Sequence, residues 1–197
     1  MTPSIVDQFF WLIEKGLSAE QVFQYLSNQG HDITALQYNV AIAYLTGRGV
    51  NQSVQDAFRW CKAAADQGLP DAICLLGRMY LDGIGVPQSA IEAHNLFGKA
   101  AVAGHPESCY NLAVIHYQEG NHKEAHRLFT IAARANYHDA FFNLAIMYEN
   151  GEGVERSIEK AIYWYHKAWE NGDRESRRAL DRLGYPPDLP WLRRKDE

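Results

Sequence analysis

One pattern, written four times, limits what this chain can become. Segments ALQYNVAIAY, AICLLGRMY, SCYNLAVIHY and AFFNLAIMY alternate with AFRWCKAAADQG, AHNLFGKAAVAG, AHRLFTIAARAN and AIYWYHKAWENG. The closing residues Gly68, Gly104, Asn136 and Gly172 are spaced by 36, 32 and 36 residues. A period of this length is the mark of stacked supersecondary units, each too small to bury its own apolar face. The third unit is four residues shorter. Its deletion falls in the connector, where YQEGNHKEA replaces the Gly-x-Gly-Val loop of its neighbours, and both flanking segments survive intact.

The punctuation assigns two helices to each unit. Pro70 and Pro106 suit first helical turns, with Asp71, Glu107, Asp139 and Glu175 at the positive end of the dipole. Second helices open at Ser53, Ser89, Asn121 and Ser157, all good N-cap types, and Ser89 with Glu92 and Asn121 with Glu124 read as capping boxes. The closing glycines supply left-handed C-caps. Small residues recur where helices must touch: Ala41, Gly77, Ala113 and Ala145 at one position, Ala57, Ala93, Ala125 and Ala161 at another. Tyr44, Tyr80, Tyr148, Trp60, Leu96, Leu128 and Trp164 fill the spaces between.

The expected helices are about 4–15, 18–29, 35–46, 53–67, 71–82, 89–103, 107–118, 121–135, 139–150, 157–171 and 174–183. The organisation is a single repeat domain over 1–197: a degenerate helical cap at 1–34, repeats at 35–70, 71–106, 107–138 and 139–174, and a cap helix with tail at 175–197. Trp191 or Leu189 is expected to fold back onto the last helices.

Composition narrows the function classes. A net charge of −5 argues against a general nucleic-acid binder, which needs a basic stripe. No run approaches the roughly 18 apolar residues of a membrane span. Asp7 and the lack of a basic start argue against a secretory signal, and three cysteines, Cys61, Cys74 and Cys109, suit a reducing compartment. The expected location is cytoplasmic.

These residues resemble the Sel-one-like repeat family, a branch of the tetratricopeptide-like α-solenoids. ICLLGRMYLDGIGV and AIYWYHKAWENG carry its pattern, and the resemblance covers about residues 35 to 183. The third unit departs from it, with its short loop and His116 in place of tyrosine. The resemblance implies an all-α, right-handed solenoid of antiparallel helix pairs that binds other proteins, with no reaction and no cofactor.

Several local motifs suggest chemistry and are better read otherwise. Gly83-Ile84-Gly85 lacks the preceding strand and the Gly-Lys-Ser/Thr ending of a phosphate loop, so it is a connector, with Val86 plugging the turn. Ser157-x-x-Lys160 has the form of the nucleophile motif of penicillin-recognising enzymes, but Ser157 stands where Ser53 and Ser89 cap helices, and no K-T-G or S-D-N accompanies it. His122 and His126 have a metal-compatible spacing without an H-E-x-x-H order, and His94 shares the repeat position of His126, which reads as surface helix. The cysteines read as core residues.

In such solenoids first helices line the concave side. The groove positions are Tyr38, Asn39, Ile42 and Leu45; Cys74, Leu75, Arg78 and Leu81; Tyr110, Asn111, Val114 and Tyr117; Phe142, Asn143, Ile146 and Glu149. Tyr38, Tyr110 and Phe142 at one recurring position suggest a peptide groove. Asn39, Asn111 and Asn143 either hold a peptide backbone or stabilise the repeat. Arg78, Arg178 and Arg182 add positive charge on the same side. The function expected is a non-catalytic adaptor that binds a protein or peptide segment. The alternatives are an inhibitor or immunity-type protein of one enzyme, and a hydrolase using Ser157 and Lys160. The terminal helices leave self-association open.

Overall fold

The computed structural model describes residues 5–185. Among these are eleven α-helices and no strand: α1 (Ile5–Glu14), α2 (Ala19–Asn28), α3 (Ile33–Thr46), α4 (Val54–Asp66), α5 (Pro70–Asp82), α6 (Ala90–Val102), α7 (Pro106–Gln118), α8 (His122–Arg134), α9 (Asp139–Asn150), α10 (Ile158–Glu170) and α11 (Arg174–Arg182). Every expected helix is present, with ends displaced by a residue or two. The expectation for Trp191 and Leu189 lies outside the described residues.

The helices form two compact units, one reaching to Ala103 and one beginning at Gly104. In the first, α3 packs on α4, α4 on α5 and α5 on α6, while α1 and α2 lean on α3. Its core is two clusters. Phe9, Phe10, Ile13, Val22, Leu26, Leu36 and Val40 seal the α1–α3 end. Ala41, Ala57, Cys61, Ala64, Leu75, Leu76 and Met79 fill the space between the two repeats. In the second unit α7 packs on α8, α8 on α9, α9 on α10 and α10 on α11. There Ala145, Ala161, Ile162 and Tyr165 meet Ala179 and Leu180 of the last helix.

Capping follows the expected residues with one exchange. Ser53, Ser89 and Ser157 each accept a hydrogen bond from the backbone N–H three residues on. Neither expected capping box forms fully: Ser89 makes only its half, and the Asn121 side chain makes no cap bond. The reciprocal box is Ser18 with Gln21, at the start of α2. At the closing positions Asn136 takes the left-handed conformation of its glycine counterparts, with φ of 58°.

The loops hold two devices that spacing did not reveal. Gln52 and Gln88 donate from their amides to the Leu45 and Leu81 carbonyls, 2.8 and 2.7 Å away, and the Arg156 guanidinium donates through Nε to the Glu149 main-chain carbonyl at 2.8 Å. Each ties down a carbonyl at the end of a first helix that has no partner within the helix. The second glycine of a loop is there for proximity as well as for its positive φ. A Cβ on Gly85 would land on the Val54 carbonyl oxygen, and one on Gly153 on the His122 carbonyl oxygen, in each case at the first turn of the second helix of the preceding repeat. Ile84 packs against the core from this loop, and Val86 is half-buried.

Candidate functional site: the first-helix face

The first helices bury their small residues and turn their recurring aromatics to a half-buried face. Tyr38 and Ile42 on α3 are partly buried and packed against the core with Leu45. Asn39 is only 6% exposed, so its amide belongs to the interior. Cys74 and Leu75 on α5 are buried as well, and Arg78 is exposed. In the first unit Asn39, Cys74 and Leu75 are therefore closed off, while Tyr38, Ile42, Leu45, Arg78 and Leu81 keep some exposure. A helix packed on both flanks leaves too narrow a free arc for four positions.

In the second unit the face is more open. Tyr110, Asn111, Val114, Tyr117, Phe142, Asn143 and Ile146 are all half-buried. Two adjoining hollows share Phe142. One, about 380 Å³, lies between α9, α10 and α11 and is lined by Phe142, Ile146, Glu149, Tyr165, Arg178 and Arg182 among others. The other, about 400 Å³, is lined by Tyr110, His138, Phe142 and Asn143 with the turn Asn171–Asp173. Tyr110 is held by Phe129 and Tyr137, with ring centroids 5.6 and 5.2 Å away. Burial raises the pKa of its hydroxyl, with Asp139 adding to the effect. Asn143 donates back to the Asp139 carbonyl at 3.0 Å, while the buried amide nitrogen of Asn111 meets no acceptor among the described residues. The two asparagines therefore differ in role although they share a repeat position.

The charge of the face differs from the expectation. A single guanidinium nitrogen of Arg182, Nη2, donates to both carboxylate oxygens of Glu149 at 2.7 and 2.8 Å, and Arg178 pairs with Glu175. Two carboxylates thus offset two guanidiniums around the hollow. Glu149 also accepts from the Tyr165 hydroxyl at 2.7 Å. Burial and that bond raise the tyrosine's pKa well above the ordinary range. Tyr165 is the site residue that sequence reasoning missed, because it occupies the position of buried Phe97 and Phe129 and reads there as packing alone. Further along α7, Tyr117 donates to Glu152 at 2.6 Å, and this bond pushes its pKa up to about 12.

The other candidates resolve into structure. The Ser157 hydroxyl accepts from the Lys160 N–H at 3.3 Å, and the Lys160 ammonium sits 5.2 Å from the Tyr148 ring centre. Serine and lysine are engaged by the helix cap and an aromatic face. His122 and His126 are half-buried, against the expectation of surface residues, because Tyr117 and Tyr148 lie edge-on to them at 5.0 and 5.1 Å. Burial, then Lys160, lowers the pKa of His126. No group of three or more potential metal ligands gathers among the described residues. All three cysteines are buried thiols outside any disulfide, and Cys61 is pushed up to about 12 by burial and by Cys74. No helix among the described residues is long and apolar enough to cross a membrane.

Comparison with known proteins agrees with this architecture. The Sel1 repeat model matches residues 34–69, 70–105, 106–137 and 138–173. A Sel1 repeat protein from Oxalobacter formigenes is 33% identical, with a TM-score of 0.72 over 84% of this chain and 50% of its own. The protective antigen c5321 of uropathogenic Escherichia coli, which displays the same repeat fold, is 29% identical, with a TM-score of 0.76 over 85% of this chain and 36% of its own. The chain thus spans half or less of the length of these two relatives. The immunity protein Pa5087 of Pseudomonas aeruginosa, at 20% identity and a TM-score of 0.58 over 98% of this chain and 76% of its own, shares the fold. Sel1-repeat proteins generally act as protein-interaction modules, and their fold is typically a non-catalytic scaffold. Four matched repeats covering most of the sequence, on an all-helical solenoid fold, place this chain in the Sel1-repeat family.

Proposed function

We propose that this chain is a non-catalytic adaptor that seats a segment of a protein partner on the first-helix face of its second unit. The observation that carries this reading is Phe142, a half-buried aromatic shared by two adjoining hollows. An apolar anchor of the partner fits against its ring, and polar groups on either side meet Asn143 and the Arg178–Glu175 pair. Aromatic side chains in such positions dominate binding energies. Because the arginines are already paired, an acidic partner residue gains only by displacing Glu175 from Arg178.

Affinity capture with mass spectrometry identifies the partner, and calorimetry on purified components then measures the effect of Tyr110→Ala with Phe142→Ala. The double change is expected to weaken binding at least about tenfold with helicity preserved. Lys123→Ala with Arg127→Ala, on the outer face of α8, is expected to leave binding within about twofold. The reverse result places the functional surface on the second helices and refutes the assignment. If the captured partner is an enzyme whose activity falls on binding, the chain is an inhibitor that uses the same face.

A further inference from the structure

The outer face of α6 is unlike those of α4, α8 and α10. Ile91, Asn95, Gly98 and Val102 are spaced by four, three and four residues and so form one stripe. Ile91 is 75% exposed and Val102 92%. At the same repeat positions α4 presents Arg59, Lys62 and Asp66, and α8 presents Lys123, Arg127 and Arg134. The α10 helix keeps Glu159 and Glu170 at its ends. Among these helices α6 alone has lost its charge there.

Gly98 sharpens the contrast. A glycine inside a helix is unfavourable relative to alanine. A Cβ at Gly98 would meet nothing within 4 Å, so packing within the chain does not require the missing side chain. A flat spot between two exposed apolar residues lets another helix approach closely.

The charges beside the stripe say which helix. Glu92 and Lys99 are exposed, seven residues apart, on one flank of it. If two copies of α6 lie antiparallel about a twofold axis between Leu96 and Phe97, Ile91 faces Val102 of the second copy and Asn95 faces Gly98 of the second copy. The same register brings this flank of one copy against the same flank of the other, with Glu92 near Lys99 of the second copy, and the pair occurs twice by symmetry. A parallel pair, with its twofold axis along the helices, would carry the two flanks to opposite edges of the contact and leave these charges apart. We infer that this face is a self-association surface, through which two copies of the chain pair antiparallel α6 helices. The inference is independent of the seat around Phe142.

One helix pair buries less than the standard interface, so the dimer is weak and sedimentation equilibrium of the full chain should run up to about 500 μM. A monomer–dimer equilibrium that weakens with salt is expected. Val102→Asp should weaken it at least about tenfold, with the circular dichroism unchanged. Glu92→Lys alone and Lys99→Glu alone should each weaken it, and the two together should restore it. That restoration is peculiar to the antiparallel register. A chain that stays monomeric throughout overturns the inference. So does a dimer indifferent to Val102→Asp, which would use another surface such as the terminal helices. Failure of the double charge exchange to restore pairing, or occupation of the face by a helix of a different protein, also overturns it.

Discussion

Two glycines lie inside helices of the second repeat, and the same substitution should move stability in opposite directions at the two. A Cβ added at Gly77 would stand 2.8 and 3.0 Å from two ring atoms of Phe97 and 3.3 Å from a third. Carbon atoms at rest stay well beyond those distances, so the ring must move by several tenths of an ångström. Phe97 is fully buried in the α5–α6 contact and has little room. Overpacking of this kind costs about 1–3 kcal/mol, against a helix-propensity gain of about 1 kcal/mol for alanine over glycine. Gly77→Ala is therefore expected to destabilise by up to about 2 kcal/mol, and Gly77→Leu by more. Gly98→Ala meets nothing and should stabilise by up to about 1 kcal/mol when measured in dilute solution. Urea titrations followed by far-ultraviolet circular dichroism give both numbers. Adding Phe97→Leu makes the comparison stricter. Alone it opens a partial cavity, but combined with Gly77→Ala it removes the clash, so the pair should be coupled favourably by at least about 1 kcal/mol. Equal stabilisation by Gly77→Ala and Gly98→Ala, or strict additivity with Phe97→Leu, would refute the close approach of α5 to α6.

Local chemistry sets two other expectations. Ser157→Ala should cost about 1 kcal/mol while Ser157→Asp keeps the cap, and neither should alter a nitrocefin assay; turnover lost with Ser157→Ala would instead assign catalysis to the serine. The lowered pKa of His126 means that the unfolded chain binds its proton first, so stability should fall as pH drops from the ordinary histidine value near 6.5 towards the lower folded value. Denaturation at pH values of about 7.5 and about 5.0 should therefore show a smaller loss in His126→Leu than in the parent, and an equal loss would show that other groups govern the acid limb.

Period and punctuation made the helices legible, because caps and small residues act within a few positions of themselves. Ser53, Ser89 and Ser157 do what their residue types dictate, and even Asn136 substitutes for glycine as its chemistry allows. The face was less legible. Which side of a first helix stays open depends on how tightly both neighbours close on it, and Asn39 with 6% exposure shows how that arc narrows at α3. The ion pairs were illegible for a related reason: Arg182 reaches Glu149 from 33 positions away, beyond the reach of any spacing rule. Tyr165 was hidden by its own repeat position, where only the hydroxyl sets it apart from Phe97 and Phe129.

The second loop glycine of the second and fourth repeats has a consequence for how such a chain can change over generations. Gly85 presses against the carbonyl of Val54, and Gly153 against the carbonyl of His122. Valine and histidine have nothing in common except their main chain. A unit that recognises its predecessor through a main-chain oxygen accepts any residue type in that place, so a duplicated copy inherits a working junction at once. The side chains around the junction are then free to differ, as the uncharged outer face of α6 differs from the charged faces of α4, α8 and α10.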